Sequence, residues 1–212
     1  MNLRITEIFL SIQGESSHAG RPCSFVRLTG CPMRCVWCDS EYTFTGGDHI
    51  SFEDIFAQLK DFACPLVEVT GGEPLAQKTC LPLLESLCDA GYRVSLETSG
   101  AMPLGAVDPR VIRVVDVKTP GSREERRNRY EELALLRPAE QIKFVICDRA
   151  DYEWSRAKVA QLGLAARCTV LFSPSAEQLP ARTLADWILE DRLPVRFQLQ
   201  LHKILWGNVA GK

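Results

Sequence analysis

The chain lacks several things, and each absence excludes a class of protein. No apolar run approaches the roughly 18 residues that a membrane-crossing helix needs. No block of one charge sign stands out: Lys and Arg number 25 against 27 Asp and Glu, a net charge of −2. Electrostatics therefore gives no reason to expect a nucleic acid or an anionic membrane surface as partner. There is no internal repeat, no low-complexity tract and no Pro-, Gly- or Ser-rich linker, so residues 1–212 are expected to form a single domain. The first ten residues alternate polar and apolar side chains without a continuous hydrophobic segment, unlike a secretory signal. Histidine is sparse, and His18, His49 and His202 stand alone. Cysteine is not sparse. Nine is a high and odd count, whereas secreted disulfide frameworks are smaller and even-numbered, which points to a reducing cytoplasm.

Three of those cysteines lie together in Gly30-Cys31-Pro32-Met33-Arg34-Cys35-Val36-Trp37-Cys38-Asp39. The spacing is C-x3-C-x2-C, with an aromatic side chain before the last cysteine. Three thiolates on one short loop can hold three corners of a 4Fe–4S cluster and leave the fourth iron open for chemistry, whereas a purely electron-transferring cluster takes four. Zinc is the plain alternative. It wants four ligands, no second C-x2-C or C-x2-H pair exists, and it would have to recruit Cys23 or His49. Cys147 and Cys168 lie in apolar runs and read as small buried hydrophobes.

Short apolar runs at 24–28, 66–69, 93–96, 112–117, 142–146, 169–172 and 195–199 predict buried parallel strands. Helical patterns fall between most of them, at 52–62, 77–90, 123–136, 149–162 and 177–190. Ser51 with Asp54 makes an N-terminal cap, and Gly91 and Gly163 make stops. This alternation predicts an α/β fold with right-handed crossovers. A closed eight-stranded barrel takes about 250 residues, so the length allows only about six βα units. The cysteine loop, Gly71-Gly72, Glu97-Thr98, the stretch Asp116-Val117-Lys118 and Ser173-Pro174 all follow predicted strands, and would share one face.

The cysteine loop resembles that of the radical S-adenosylmethionine superfamily, and Val67-Glu68-Val69-Thr70-Gly71-Gly72-Glu73-Pro74 resembles its Gly-Gly-Glu-Pro segment. The resemblance implies an incomplete (β/α) barrel with a lateral opening. It also implies a 4Fe–4S cluster on Cys31, Cys35 and Cys38, with the methionyl group of S-adenosylmethionine chelating the open iron. Phe9-Leu10-Ser11-Ile12-Gln13-Gly14-Glu15, Arg27, Cys38-Asp39-Ser40 and Leu201-His202-Lys203 narrow the likeness to the 7-carboxy-7-deazaguanine synthase family. That family turns 6-carboxy-5,6,7,8-tetrahydropterin into 7-carboxy-7-deazaguanine and ammonia, on the way to queuosine. Carried over by position, Ile12, Gln13, Gly14, Arg27, Thr70 and His202 would bind substrate. Gly72, Asp116, Val117, Lys118, Ser173 and Pro174 would bind S-adenosylmethionine, and Ser40 would bind Mg2+. A flavodoxin or ferredoxin electron donor and a homodimer are implied, with no nucleic acid and no membrane.

This chain departs from the family pattern in two places. Ser16 stands where the family often has glycine, and residues 204–212 extend past the His-Lys pair. Bland readings also exist. Arg27 could be an outward charge, Ser40 a turn cap, His202 an exposed histidine, Asp116 and Lys118 a structural ion pair, and 123–129 a solvated helix face. A radical activase of a glycyl radical enzyme has the same cysteine spacing, and a non-catalytic zinc module is the rival of another class.

Overall fold

A computed structural model describes residues 1–207 and 209–211. Nine strands form one sheet: β1 (Asn2–Ile12), β2 (Pro22–Leu28), β3 (Asp48–Ser51), β4 (Leu66–Gly71), β5 (Arg93–Thr98), β6 (Ile112–Asp116), β7 (Gln141–Ile146), β8 (Thr169–Pro174) and β9 (Arg196–Phe197). Their order across the sheet is β3-β1-β2-β4-β5-β6-β7-β8-β9. From β2 through β9 all neighbours are parallel, and β1 runs antiparallel to both β2 and β3. The α/β fold is thus an open, mostly parallel sheet, in keeping with the incomplete barrel expected from the chain length.

The helices are α1 (Phe52–Phe62), α2 (Cys80–Asp89), α3 (Arg149–Gln161), α4 (Ala181–Glu190) and the short α5 (Leu201–Trp206). Ser51 caps α1 as its spacing predicts, its Oγ accepting from the Asp54 N–H at 3.1 Å. Asp148 does the same for α3 through Asp151 N–H at 2.8 Å. Gly91 and Gly163 follow their helices at φ of 85° and 61°. The stop after α1 has no glycine: exposed Ala63 holds φ at 49°. Ala63→Gly is expected to raise stability by about 0.5–1 kcal/mol, read as a higher urea midpoint at unchanged slope, because glycine adopts this conformation without a Cβ penalty.

Three sequence expectations fail in instructive ways. The helix expected over 123–136 is instead a series of 3-10 turns, Pro120–Ser122, Glu125–Arg127 and Tyr130–Leu135. Its polar groups are claimed by tertiary partners. Asn128 uses its side-chain amide to bond both Lys118 N–H and Lys118 C=O, at 2.9 and 2.8 Å. Arg129 N–H donates to Gly100 C=O, and Ser122 C=O accepts from Val36 N–H in the cysteine loop. The helices expected from 77 and 177 begin later, at Cys80 and Ala181. Gln77 is diverted to the backbone of Arg4 and Thr29, and Pro180 starts the later helix. The strand expected over 195–199 shrinks to two residues.

Side-chain alternation gives the sheet two unlike faces. Val67, Val69, Val94, Leu96, Val115, Ile142, Phe144, Val170 and Phe172 join the helices in the apolar core. The in-register positions between them form the concave face: Glu68 and Thr70, Ser95 and Glu97, Val114 and Asp116, Gln141 and Lys143. The segment 13–21, between β1 and β2, stitches the open edge. The Gln198 amide both donates to Ser16 C=O and accepts from Ser16 N–H, each at 2.8 Å. Gln141 holds Ser17 in the same two-bonded way, at 2.7 and 2.9 Å. Ser16, the departure noted above, sits at φ 63°, the left-handed region that glycine enters freely. The Gln198 clamp and the Ser16 Oγ, which accepts from His18 N–H at 3.2 Å, hold it there.

Candidate active site

The C-terminal ends of the parallel strands open into a cavity of about 340 Å3. Cys31, Cys35 and Cys38 line it, all free and half-buried. Their loop is tied down on both sides: Gly30 N–H donates to Thr43 C=O at 2.7 Å, and Gly30 C=O accepts from Glu73 N–H at 2.8 Å. Gly72 lies directly beneath, where an added Cβ would stand 2.5 Å from Gly30 O and 2.7 Å from Cys31 Cβ. A glycine is therefore required there by close approach of two backbones. Glu73 fixes the turn from below. Its fully buried carboxylate accepts from Leu75 N–H, Thr98 Oγ1, Ser99 N–H and Ser99 Oγ, locking the ends of β4 and β5 together.

Around the cavity, Lys118 places its ammonium 3.0 Å from Asp116 and 4.9 Å from the ring centre of Trp37, the aromatic of the cysteine motif. The ion pair expected as a bland reading exists, yet both members line the cavity, and Asp116 Oδ1 is buried with no partner among the described residues. Arg27 is also paired, its Nε donating to Glu7 at 2.7 Å, and its guanidinium lies near the rings of Phe9 and Tyr42. It faces the cavity, so it is not an outward charge. Ser40 precedes a 3-10 turn but makes no side-chain capping bond, and its hydroxyl lines the cavity 3.8 Å from Cys38 Sγ.

Ile12, Gln13, Gly14, Thr70 and His202 line the cavity as well. Gly14 and His202 form one unit: Leu201 N–H donates to Gly14 C=O at 3.0 Å, and a Cβ on Gly14 would stand 2.1 Å from His202 Nδ1. Burial pulls the His202 imidazole below its ordinary value, against the opposing pull of Glu15 and Asp39. The Gln13 side chain is largely spent inside the protein. Its Oε1 accepts from Glu15 N–H at 3.1 Å and its Nε2 donates to Glu68 at 2.9 Å, so it has little left to read a ligand edge. Val117, Ser173 and Pro174 do not line the cavity. Val117 belongs to the apolar core, and beyond β8 it is Ser175 and Ala176 that reach the site.

One group of charges escaped the sequence reading. Lys143 on β7 is buried and donates to Glu15 at 2.6 Å and to Glu97, with Asp116 at 3.6 Å. Burial opposes its charge, but the three carboxylates outweigh burial and hold the ammonium well above its ordinary value. Burial likewise opposes ionisation of Glu15, and Lys143 overcomes it, so Glu15 lies below its usual value. For Glu97 burial prevails, with Lys143 offsetting it in part, and its value is raised. The polar positions in Arg93–Thr98 and Gln141–Ile146, alternating with apolar ones, were the available signal. They are masked when a strand is scored only by its apolar content.

Three free thiols on one short loop are a donor set suited to three corners of a 4Fe–4S cluster. The unpartnered Asp116 oxygen and the glycine turn under the cysteine loop offer a polar cradle beside the thiols.

Comparison with known proteins agrees with this geometry. The Radical SAM superfamily matches residues 25–116. The 7-carboxy-7-deazaguanine synthase of Koribacter versatilis is 48% identical, with 96% of this chain and 97% of that one aligned. The synthase of Chlorobaculum tepidum is 46% identical over 98% and 96%. The crystal structure of QueE from Escherichia coli shares the fold, with a TM-score of 0.78 over 95% of both chains at 24% identity. Sequence likeness over nearly the whole length, in a fold that gathers the three motif cysteines and the Gly71-Gly72 turn around one cavity, places the chain in the 7-carboxy-7-deazaguanine synthase family of radical SAM proteins.

Proposed function

We propose that the protein is a radical SAM lyase, acting as one domain over residues 1–212, that converts 6-carboxy-5,6,7,8-tetrahydropterin to 7-carboxy-7-deazaguanine and ammonia. The observation that carries this reading is one cavity lined by three cysteines beside a densely charged wall. An activase would need a broad protein-docking site around its radical, whereas this site is recessed and sized for a small molecule. When bound, the cluster and S-adenosylmethionine supply the radical that removes and later returns a substrate hydrogen.

The chain's own groups position and exclude. Cys31, Cys35 and Cys38 hold the cluster. Gly72, Asp116 and Lys118 hold S-adenosylmethionine, with the unpartnered Asp116 oxygen suited to a donor on a cationic ligand. The backbone of Val117, Ser173 and Pro174 shapes the ends of β6 and β8 behind it. Arg27 binds the substrate carboxylate through the guanidinium hydrogens left over from Glu7. Ile12, Gln13, Gly14, Thr70 and His202 close around the ring. Ser40 would supply a hydroxyl to Mg2+, which would serve as a Lewis acid for the substrate carboxylate. A flavodoxin or ferredoxin as electron source, a homodimer and a cytoplasmic location belong to the same reading. Among the described residues no helix is long and apolar enough to cross a membrane.

The test is anaerobic turnover of 6-carboxytetrahydropterin by reconstituted protein. Product formation should rise with added Mg2+. Ser40→Ala should weaken that response about tenfold while leaving S-adenosylmethionine affinity unchanged, because the hydroxyl is a ligand of one ion only. Equal rates with chelator and with Mg2+ would refute the Ser40 assignment.

A further inference from the structure

One acid on the concave face has no role in lining the cavity. Glu68 lies on β4 one in-facing position before Thr70 and is 1% exposed. Its Oε2 accepts from Gln13 Nε2 at 2.9 Å, and its Oε1 has no partner among the described residues. The hydroxyl of Ser95, in register with it on β5, is also without one. The titratable groups facing Glu68 are Glu97 from β5, Lys143 from β7 and the buried thiol of Cys23 from β2. β1 presents Phe9 at this level, through its pairing with Phe25. Lys143 is already committed to Glu15, Glu97 and Asp116. A buried carboxyl with no cation of its own avoids the desolvation cost by keeping its proton. Burial, with Glu97 adding to it, pushes Glu68 up to about 8, although Lys143 and Gln13 pull the other way.

Glu68 reaches the site through a defined chain of contacts. It holds Gln13 Nε2. Gln13 Oε1 holds Glu15 N–H, and the Glu15 carboxylate grips Lys143 and accepts from Gln200 Nε2 at 2.7 Å. The turn 12–15 that faces the cavity is therefore oriented from beneath by Glu68.

We propose that Glu68 is a positioning residue that works as a neutral carboxylic acid: it orients Gln13 and the substrate-facing turn 12–15, and its ionisation weakens substrate binding. Ionised, it would add a fourth negative charge beside Glu15, Glu97 and Asp116, against the anionic substrate of the proposed synthase reaction, on which this inference rests. No proton is transferred to or from substrate by Glu68. Its role is exerted through Gln13.

The experiment compares the reconstituted holoenzyme with Glu68→Gln and Glu68→Ala. In the parent, KM for 6-carboxytetrahydropterin should rise about tenfold per pH unit above a pH of about 8. Glu68→Gln, an isosteric neutral group, should keep the neutral-pH KM and kcat within about twofold and abolish the alkaline rise. Glu68→Ala should raise KM about tenfold at every pH with iron content and S-adenosylmethionine affinity unchanged. A second readout needs no turnover. The fold retains a proton that the unfolded chain releases above about 4.5, so this stabilisation is present in acid and lost as pH rises through about 8. The parent's urea midpoint should thus fall between those pH values relative to that of Glu68→Gln. An infrared carbonyl band of a protonated buried acid, present in the parent at neutral pH and lost in Glu68→Gln, reports the same state and separates Glu68 from Glu97. The inference is overturned if Glu68→Gln keeps both the alkaline rise in KM and the parent's pH slope of stability, or if the band is absent. If the parent makes no product, the synthase reading fails, while the urea and infrared results still decide the state of Glu68.

Discussion

Replacing any one of Cys31, Cys35 or Cys38 by Ala abolishes cofactor cleavage and product formation, a loss of at least about 10⁴-fold, while the protein still folds. The three thiols are half-buried on a loop whose own backbone bonds, to Thr43, Glu73 and Ser122, do not involve the sulfurs. Removing one sulfur therefore costs little packing but removes a corner of the cluster. Iron content after anaerobic reconstitution and the circular dichroism of the apoprotein check the two halves of the claim. Cys147→Ala and Cys168→Ala provide the contrast. Both side chains are buried away from the cavity, with thiols pushed up by burial to about 12 and about 11, so they affect stability alone. Loss of the cluster in either of these would show that the loop is not its site.

The second large effect is at Lys143. Lys143→Ala leaves Glu15, Glu97 and Asp116 facing one another without their central cation. Removing one partner of a buried charge group typically costs about 3–5 kcal/mol. For a domain of this size that is a fall in Tm on the order of 10 °C. Activity should fall at least about 100-fold, because the turn 12–15 loses its anchor and a small misplacement of substrate from the radical is that costly. Lys143→Met, similar in length but neutral, should not restore either. Thermal unfolding within about 1 kcal/mol of the parent would mean that the carboxylates are already neutral, contrary to the geometry.

The sequence made the fold class and the cysteine centre legible for definite reasons. The βα rhythm and the capping pair Ser51-Asp54 are local signals, and local signals survive folding. The short chain length argued against a closed barrel, and the sheet is open. The segment 123–136 was misread because its charged pattern fits a solvated helix, while Asn128 and Ser122 tie it to Lys118 and to the cysteine loop. No pattern within fourteen residues can reveal a partner nearly ninety residues away. The Lys143 group was missed for a related reason. Each of its members sits on a different strand or loop, and only the in-register stacking of β5, β6 and β7 brings Glu97, Asp116 and Lys143 together. Ser16 shows the converse. A departure from the family's glycine looked like a weakness, but its left-handed backbone is held by Gln198, a residue 182 positions away.

Isotope transfer tests the central claim most directly. With substrate deuterated at C6, S-adenosylmethionine and a reductant, the protein should release 7-carboxy-7-deazaguanine and ammonia over many turnovers per cofactor, and deuterium should appear in recovered S-adenosylmethionine. That result would require one cavity to hold the cluster loop, the cofactor and the pterin in contact, with the C6 deuterium joining the radical carbon of the cofactor and one of the three hydrogens then on that carbon passing back to the product. Accumulation of 5′-deoxyadenosine one-for-one with any product, with no label returned to the cofactor, would contradict the account.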